Sequence, residues 1–362
     1  MRILQVITSL QMGGAEKIVV DLSLKLREKG HKVSVVAFAS GISIFKQALL
    51  DGGCSVIEFS ERESVYNLKH INRLRCLMSK YDIVHTHNTS PQLFAAIAKG
   101  KSKAKLVTTE HSTNNRRRSL WGYRWIDCWM YNRYNKIVCI SDIAKEKLLE
   151  YIGRNYEQKV ITINNGVNVQ RFYDSKGAEG LHTSDSFVTV MVAGFREAKD
   201  QDTLIRAMAM LPSLYRLWLV GDGVRRGELE NVIVSEGLAE RVSLLGIRSD
   251  VPQVLKSADV VCMSSHWEGL SLSNIEGMSS GRPFVASDVD GLHEVTKGYG
   301  ILFPHGDADA LAAIIQKLHD DKAYYDEVAE KCHQRAMMYG IDKMVDGYLD
   351  VYERLLSNVA AQ

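Results

Sequence analysis

Residues 260–288 read VVCMSSHWEGLSLSNIEGMSSGRPFVASD. VVCMSS (260–265) and PFVASD (283–288) are short apolar, β-rich runs, and the segment between them opens a short helix ending near Gly281. Strand, helix, strand is a βαβ unit, which requires parallel strands. The alternation continues outward. FVTVMVAG (187–194), RLWLVGDG (216–223) and VSLLG (242–246) precede it as strands with helical segments between them. The first half repeats the pattern with ILQVIT (3–8), a helix from about Ala15 to Lys29 closed by Gly30, KVSVVAFA (32–39), CSVIEF (54–59), DIVHTH (82–87), KLVTTEH (105–111) and KIVCIS (136–141). The fold class is therefore α/β, with two Rossmann-like doubly wound domains. The polar, turn-rich stretch between Asn164 and Asp185 is the expected boundary. DKMVDGYLDVYERLL (342–356) spaces Met344, Val345, Tyr348, Val351, Tyr352 and Leu355 as one apolar helical face, which needs a partner surface.

Composition agrees. At 362 residues the chain fits about two domains. With 46% hydrophobic and 24% charged residues it is neither disordered nor collagen-like. No two of its 6 cysteines form a CxxC pair, so no zinc or redox framework is visible, and they read as buried thiols of a reducing compartment. The N-terminus reads as a first strand rather than a secretory signal, and no apolar run is long enough for a membrane span. Together these point to the cytoplasm. Net charge is +2, yet residues 1–165 hold 26 Lys+Arg against 14 Asp+Glu, and the remainder holds 19 against 29. A basic half beside an acidic half suggests an anionic partner for the former: nucleic acid, an anionic membrane surface or a phosphorylated acceptor. No nucleic-acid-binding motif accompanies the charge, so nucleic acid is not expected.

In open α/β sheets ligands bind beyond the carboxyl ends of strands. Glu268-Gly-Leu-Ser-Leu-Ser-Asn-Ile-Glu276 lies there, between a strand and a helix. Free amides at a helix start favour phosphate, and Gly269 permits close backbone approach. One turn into the helix, Glu276 is placed to reach a group beyond a diphosphate, such as ribose. Alone, the pattern reads equally as two surface glutamates. Met12-Gly13-Gly14-Ala15-Glu16 joins the first strand to the first helix, either as an anion-binding loop or as a tight βα turn. It lacks the GxGxxG spacing of a dinucleotide site.

These motifs together resemble glycosyltransferase family 4, the retaining enzymes of GT-B fold. The resemblance covers almost the whole chain: SLQMGGAEK (9–17), TTEHS (108–112), NNGVN (164–168), LVGDG (219–223), residues 244–295 and GILFPHGDADALAAII (300–315), in order and spacing. It implies two domains facing a central cleft. Residues 1–165 would take the acceptor, residues 166–340 the nucleotide-sugar, and a helix within 341–362 would return to the N-terminal domain. It implies catalytic roles for Glu268 near the transferred sugar, Lys199 at the leaving diphosphate and His111 at the donor sugar. Donor binding would fall to Gly13, Gly14, Arg196, Lys199, the amides of Gly269, Leu270 and Ser271, and Glu276 on the ribose. The donor is expected to be UDP-linked, on family frequency alone. The acceptor would be a saccharide or lipid-linked saccharide of polysaccharide or lipopolysaccharide assembly, met at the cytosolic membrane face. No cofactor and no metal are expected, because a lysine and helix-start amides supply the charge that a departing diphosphate needs.

The sequence departs from the family pattern in places. Gly194 stands where an arginine is usual, leaving Arg196 to supply that charge. Glu276-Gly277 replaces Glu-Ala, Asp290-Gly-Leu-His-Glu294 replaces Gly-Gly-Ile-Pro-Glu, and His266 precedes Trp267. These changes bear on sugar identity more than on reaction class. His85 and His87 also end a strand and read as structural or acceptor-side residues. Trp121, Trp125 and Trp129 share a helical face amid Arg116, Arg117, Arg118, Arg124, Arg133 and Lys136. That pattern suits either a membrane interface or a core helix with a solvated charged side. Two other functions fit the architecture: a nucleotide-sugar epimerase, and a non-catalytic nucleotide-sugar-binding scaffold.

Overall fold

The computed structural model describes residues 1–11, 13–60, 64–112, 118, 122–181, 185–268 and 272–360. The chain divides into two compact units, Met1–Gly166 with Ile341–Gln362, and Val167–Gly340.

The first unit is built on β1 (Arg2–Ile7), β2 (Lys32–Ala39), β3 (Ser55–Ser60), β4 (Ile83–His87), β5 (Lys105–Glu110), β6 (Lys136–Cys139) and β7 (Val160–Thr162), ordered β3-β2-β1-β4-β5-β6-β7. The second is built on β8 (Phe187–Val192), β9 (Tyr215–Val220), β10 (Val242–Gly246), β11 (Val260–Met263), β12 (Phe284–Ser287) and β13 (Ile301–Phe303), ordered β10-β9-β8-β11-β12-β13. Every pairing is parallel. Strands covered by helices on both faces bury both sets of side chains, which is why they read as apolar runs rather than alternating ones. Each strand order reverses once, between β1 and β4 and between β8 and β11. Loops diverge at such a switch point and leave a crevice at the carboxyl ends of the strands. β7 and β13 have three residues each and lie at sheet edges. The sequence reading misses both, because so short a run carries no periodicity.

Helix Gly14–Glu28 buries Ile18, Val19, Leu22 and Leu26, and Gly30 (φ 86°) follows its C-cap Lys29. Helix Ile341–Ala360 packs on the first unit and buries Met344, Val345, Tyr348, Val351 and Tyr352. Its Tyr352 hydroxyl lies 2.7 Å from His85 Nδ1, and its Tyr348 hydroxyl lies 3.0 Å from Thr109 Oγ1. In the second unit, Gly221 follows β9 with φ 143°, and a β-carbon there would lie 2.1 Å from the Ala193 carbonyl oxygen. That glycine lets the loops after β8 and β9 touch, backbone to backbone. Gly277 is a packing glycine: a β-carbon would sit 2.8 Å from both the Phe284 ring and Val261, so helix Leu272–Ser279 lies tightly on β11 and β12. This gives the Glu-Gly departure a structural reason.

Candidate functional site

At the switch point of the second unit, the loop after β8 carries Lys199 and the loop after β11 carries Glu268. Three hydrogen bonds hold the two loops and the end of β12 together. Ser264 Oγ donates to the Asp200 carbonyl (2.8 Å), His266 N–H donates to the Ala198 carbonyl (3.0 Å), and Ser265 N–H donates to Ser287 Oγ (2.9 Å). The Lys199 ammonium forms an ion pair with the Glu268 carboxylate, with side-chain exposures of 18% and 14%. Glu276 lies within helix Leu272–Ser279, 7% exposed. Arg196 is exposed, and its N–H closes a turn on the Gly194 carbonyl (2.9 Å). Gly269, Leu270 and Ser271 lie outside the described residues.

Three Asp-x-Asp triplets occur, at 200–202, 288–290 and 307–309. Asp202 is gripped bidentately by Arg225 (2.8 and 3.1 Å), Asp307 caps helix Ala308–Asp320, and Asp288 sits 2.5 Å from His293 Nδ1. Each triplet thus has at least one carboxylate engaged in a structural contact.

At the switch point of the first unit, Gly13 precedes helix Gly14–Glu28, whose N-terminus has no side-chain cap. A β-carbon on Gly14 would meet nothing within 4 Å, whereas one on Gly13 would lie 2.2 Å from Glu16 Oε2, so the Glu16 carboxylate folds back over the start of the helix. Asn88 follows β4 with φ 68° and ψ 164°. Among the described residues it is the one non-glycine residue with φ well into the positive range, Asp200 following at 19°, and the Asn88 conformation costs about 1–3 kcal/mol. Its Nδ2 donates to Glu16 Oε1 at 3.4 Å, and burial raises the Glu16 pKa.

Three histidines stand side by side here. His87 Nε2 lies 2.9 Å from Gln5 Oε1, and His87 Nδ1 lies 2.9 Å from His111 Nε2. His85 bridges Tyr352 and Thr109 (2.7 and 2.8 Å). Burial drives the pKa values of His85 and His87 well below the usual range and lowers that of His111 to about 4. All three are neutral at neutral pH, so their tautomers follow from their partners. The Gln5 carbonyl oxygen accepts the Nε2 proton of His87. His87 Nδ1 is then an acceptor, and His111 must donate from Nε2. His111 Nδ1 is left as a lone-pair acceptor suited to a hydroxyl. His111 also lines a cavity of about 170 Å³ with Asn88, Thr89, Gln92 and Glu110. Glu110 is 5% exposed and accepts from Gln92 (2.6 Å), Tyr131 (2.6 Å) and Arg118 (3.1 Å).

The loop-helix region after β5 resolves otherwise than as a tryptophan-lined core helix. In helix Tyr123–Asn132 the buried residues are Asp127, Met130 and Tyr131, while Trp125 is 82% and Trp129 42% exposed. Arg133 stacks on the Trp129 ring at 5.1 Å. Arg116, Arg117 and Trp121 lie outside the described residues.

Two family models match the chain. "Glycosyltransferase Family 4" covers residues 12–171 and "Glycosyl transferases group 1" covers residues 186–321. The chain belongs to glycosyltransferase family 4. The family 4 chain is 27% identical over 300 residues to the UDP-Gal:alpha-D-GlcNAc-diphosphoundecaprenol alpha-1,3-galactosyltransferase of Escherichia coli, covering 77% of each protein. It is 26% identical over 342 residues to a phosphatidyl-myo-inositol mannosyltransferase of Mycolicibacterium smegmatis, covering 89% of this chain and 86% of the relative. Among solved structures, Anabaena HepE in complex with UDP superposes with a TM-score of 0.85 over 98% of this chain and 100% of that one, at 23% identity. That likeness establishes the GT-B fold.

Of the residues singled out in sequence, the fold of this family 4 chain joins Lys199 to Glu268 and sets Glu276 in helix Leu272–Ser279, later in the same connection as Glu268. It also joins His111 to His87. Arg196 stays apart from the ion pair. Asn88, Gln92 and Glu110 were not singled out. Glu110 was readable in TTEHS as the acidic neighbour of His111, but nothing in the sequence marks the backbone of Asn88.

Proposed function

We propose that this chain is a retaining glycosyltransferase that moves a sugar from a UDP-linked donor to a saccharide or lipid-linked acceptor in cell-surface polysaccharide or lipopolysaccharide assembly. The observation that carries the proposal is the Lys199–Glu268 pair at the switch point of the second unit, with Glu276 in the helix that follows Glu268. The E. coli relative names a UDP-sugar donor and a diphospholipid-linked acceptor, which supports this substrate class.

In the proposed reaction the bond between the anomeric carbon and the phosphate oxygen breaks, and a bond to the acceptor hydroxyl oxygen forms on the same face. The acceptor's proton passes to the departing phosphate. A diphosphate leaving group gathers negative charge, and fixed positive charge at that point lowers the barrier. Lys199 supplies it once the diphosphate competes with Glu268, and helix-start amides at 269–271 would add to it without a metal. Glu268 then turns to hydroxyls of the transferred sugar, Glu276 holds the ribose, and His111 Nδ1 accepts from a sugar hydroxyl. The helix start at Gly13 and Gly14 would take donor phosphate once the Glu16 carboxylate that lies against Gly13 moves aside.

The first unit would take the acceptor. Exposed Tyr123, Trp125, Ile126 and Trp129 beside Arg124 and Arg133 suit the headgroup layer of an anionic membrane, so the enzyme would work as a peripheral protein on the cytosolic face. Among the described residues no helix is long and apolar enough to cross a membrane.

The test is a thermal-shift screen of nucleoside diphosphates and UDP-sugars on wild type and Glu276→Ala, followed by anomeric analysis of the product. A ligand at about 100 times its Kd stabilises by about 2.7 kcal/mol. A shift with one nucleotide, lost in Glu276→Ala, and a product of unchanged anomeric configuration are expected. No shift with any nucleotide, or release of free inverted sugar without acceptor, would overturn the reading.

A further inference from the structure

Three side chains that the proposed transfer does not use converge at the carboxyl edge of the second sheet. Asp200 follows β8, His266 follows β11 and His305 follows β13. One ligand atom from each lies within 4.8 Å of the other two. His266 Nδ1 is 2.7 Å from His305 Nε2, and His266 Nε2 is 3.8 Å from Asp200 Oδ1.

Asp200 is 2% exposed, and its Oδ2 has no hydrogen-bond partner among the described residues. Its Oδ1 accepts from Thr203 N–H at the start of helix Gln201–Met210. A buried carboxylate oxygen without a donor is costly, and it calls for a cation. The neighbouring ammonium of Lys199 is already paired with Glu268. His266 and His305 share one hydrogen across their 2.7 Å contact, as His87 and His111 do, so neither turns that hydrogen toward Asp200 Oδ2, and an ion that displaces it gains a lone pair from each ring. A cation accepting both lone pairs satisfies all three groups at once.

We propose that Asp200, His266 and His305 form a three-ligand site for a divalent transition ion of the zinc type. Two imidazoles and one carboxylate select zinc, cobalt, nickel or copper over magnesium and calcium, whose preferred ligands are oxygens. Three protein ligands leave a fourth position open, as in zinc sites that keep a water or an exchangeable anion. Ligand nitrogens of a tetrahedral ion stand about 3.3 Å apart, given metal–nitrogen bonds of about 2.0–2.1 Å. The imidazoles therefore part by roughly half an ångström on binding, a small rotation for His305, which is exposed. An ion here ties together the three loops after β8, β11 and β13. Two of those loops carry Lys199 and Glu268, so occupancy restrains the loops that present the ion pair and adds positive charge beside it. The site is separate from the transfer chemistry proposed above and stands or falls without it.

The experiment uses the full chain, stripped with a chelator and dialysed, and titrated with Co²⁺ followed by Zn²⁺ competition. Visible d–d absorption of Co²⁺ reports nitrogen and oxygen ligation without any turnover. One Co²⁺ per chain, displaced by Zn²⁺ and unaffected by excess Mg²⁺, is expected. His305→Ala removes an exposed ligand. Asp200→Asn keeps the helix cap but removes the charge. Each should weaken binding on the order of 10–100-fold or more, since even outer-sphere partners are worth that much. His293→Ala, at the separate His293–Asp288 contact, should leave binding unchanged. Absence of a d–d band at one equivalent would overturn the proposal. So would unchanged affinity in both His305→Ala and Asp200→Asn, or loss of binding in His293→Ala alone.

Discussion

Acidification should loosen the first unit through its three buried histidines. Burial holds His85, His87 and His111 neutral in the folded chain, with His111 lowered to about 4 and the other two depressed as well. In the unfolded chain each titrates near the ordinary value of about 6.5. Folded-state values below the unfolded one mean that the unfolded chain binds protons first. The stability is therefore complete above about pH 6.5 and is lost as pH falls from there toward the folded values. Between pH 7 and 5.5 a histidine held neutral in this way gives up on the order of 1 kcal/mol. In the unfolded chain carboxylates titrate at about 4, and Glu16, whose pKa burial raises, takes up its proton sooner when folded, which offsets the loss rather than adding to it. The measurement is urea unfolding at both pH values, read by pulsed hydrogen exchange in peptides covering β4 and β5, so that only the first unit is followed. His85→Gln should be weaker at both pH values, yet its acid-induced loss should be smaller than wild type's by on the order of 1 kcal/mol. An equal loss in the variant would mean that His85 takes up its proton in the folded state, and the neutral network reasoned from its contacts would be wrong.

Three further outcomes follow from the geometry. Lys199→Ala should lower kcat by about 100–1,000-fold in a transfer assay while leaving the melting temperature near that of wild type, the usual scale for losing a group that meets developing charge; an unchanged kcat would remove Lys199 from the proposed chemistry. Gly277→Ala gains about 1 kcal/mol of helix propensity but forces a methyl group to within 2.8 Å of Phe284 and Val261, an overpacking that costs about 1–3 kcal/mol. Chemical denaturation of the second unit should show net destabilisation of about 1 kcal/mol, and a stabilised variant would refute the tight helix–sheet contact. Asn88→Gly relieves the strained backbone at φ 68° and should raise the stability of the first unit by up to about 1 kcal/mol, after the entropy glycine adds to the unfolded chain; a loss of stability would show that the Asn88 side chain matters more than its backbone.

How far the sequence reading reached depends on the range of the signal. Alternating apolar runs and helical periodicity are local, and they yield both sheets except for β7 and β13, whose three residues are too few to carry a period. Periodicity also shows which residues share a helical face, but not which face is buried. In helix Tyr123–Asn132 the stripe of tryptophans drew attention, whereas the chain buries Asp127, held by the Tyr151 hydroxyl at 3.1 Å, and leaves Trp125 to solvent. A buried aspartate with a long-range partner has no local signature.

The same distinction separates the site residues. Glu268 and Glu276 could be picked out because both lie in one βα connection, where spacing along the chain is also spacing in space. Lys199 belongs to a different connection, and only its place in a family pattern tied it to Glu268. What physically joins them is the reversal of strand order between β8 and β11, which sets the loops after these two strands side by side. The reversal between β1 and β4 does the same for the start of helix Gly14–Glu28 and the segment from His87 to Asn88. Asp200 and His305 are more than a hundred residues apart and meet because β8 and β13 both end at one sheet edge. Chemistry carried by a single connection is thus legible from residue spacing, while chemistry shared between connections becomes legible only once the strand order is known.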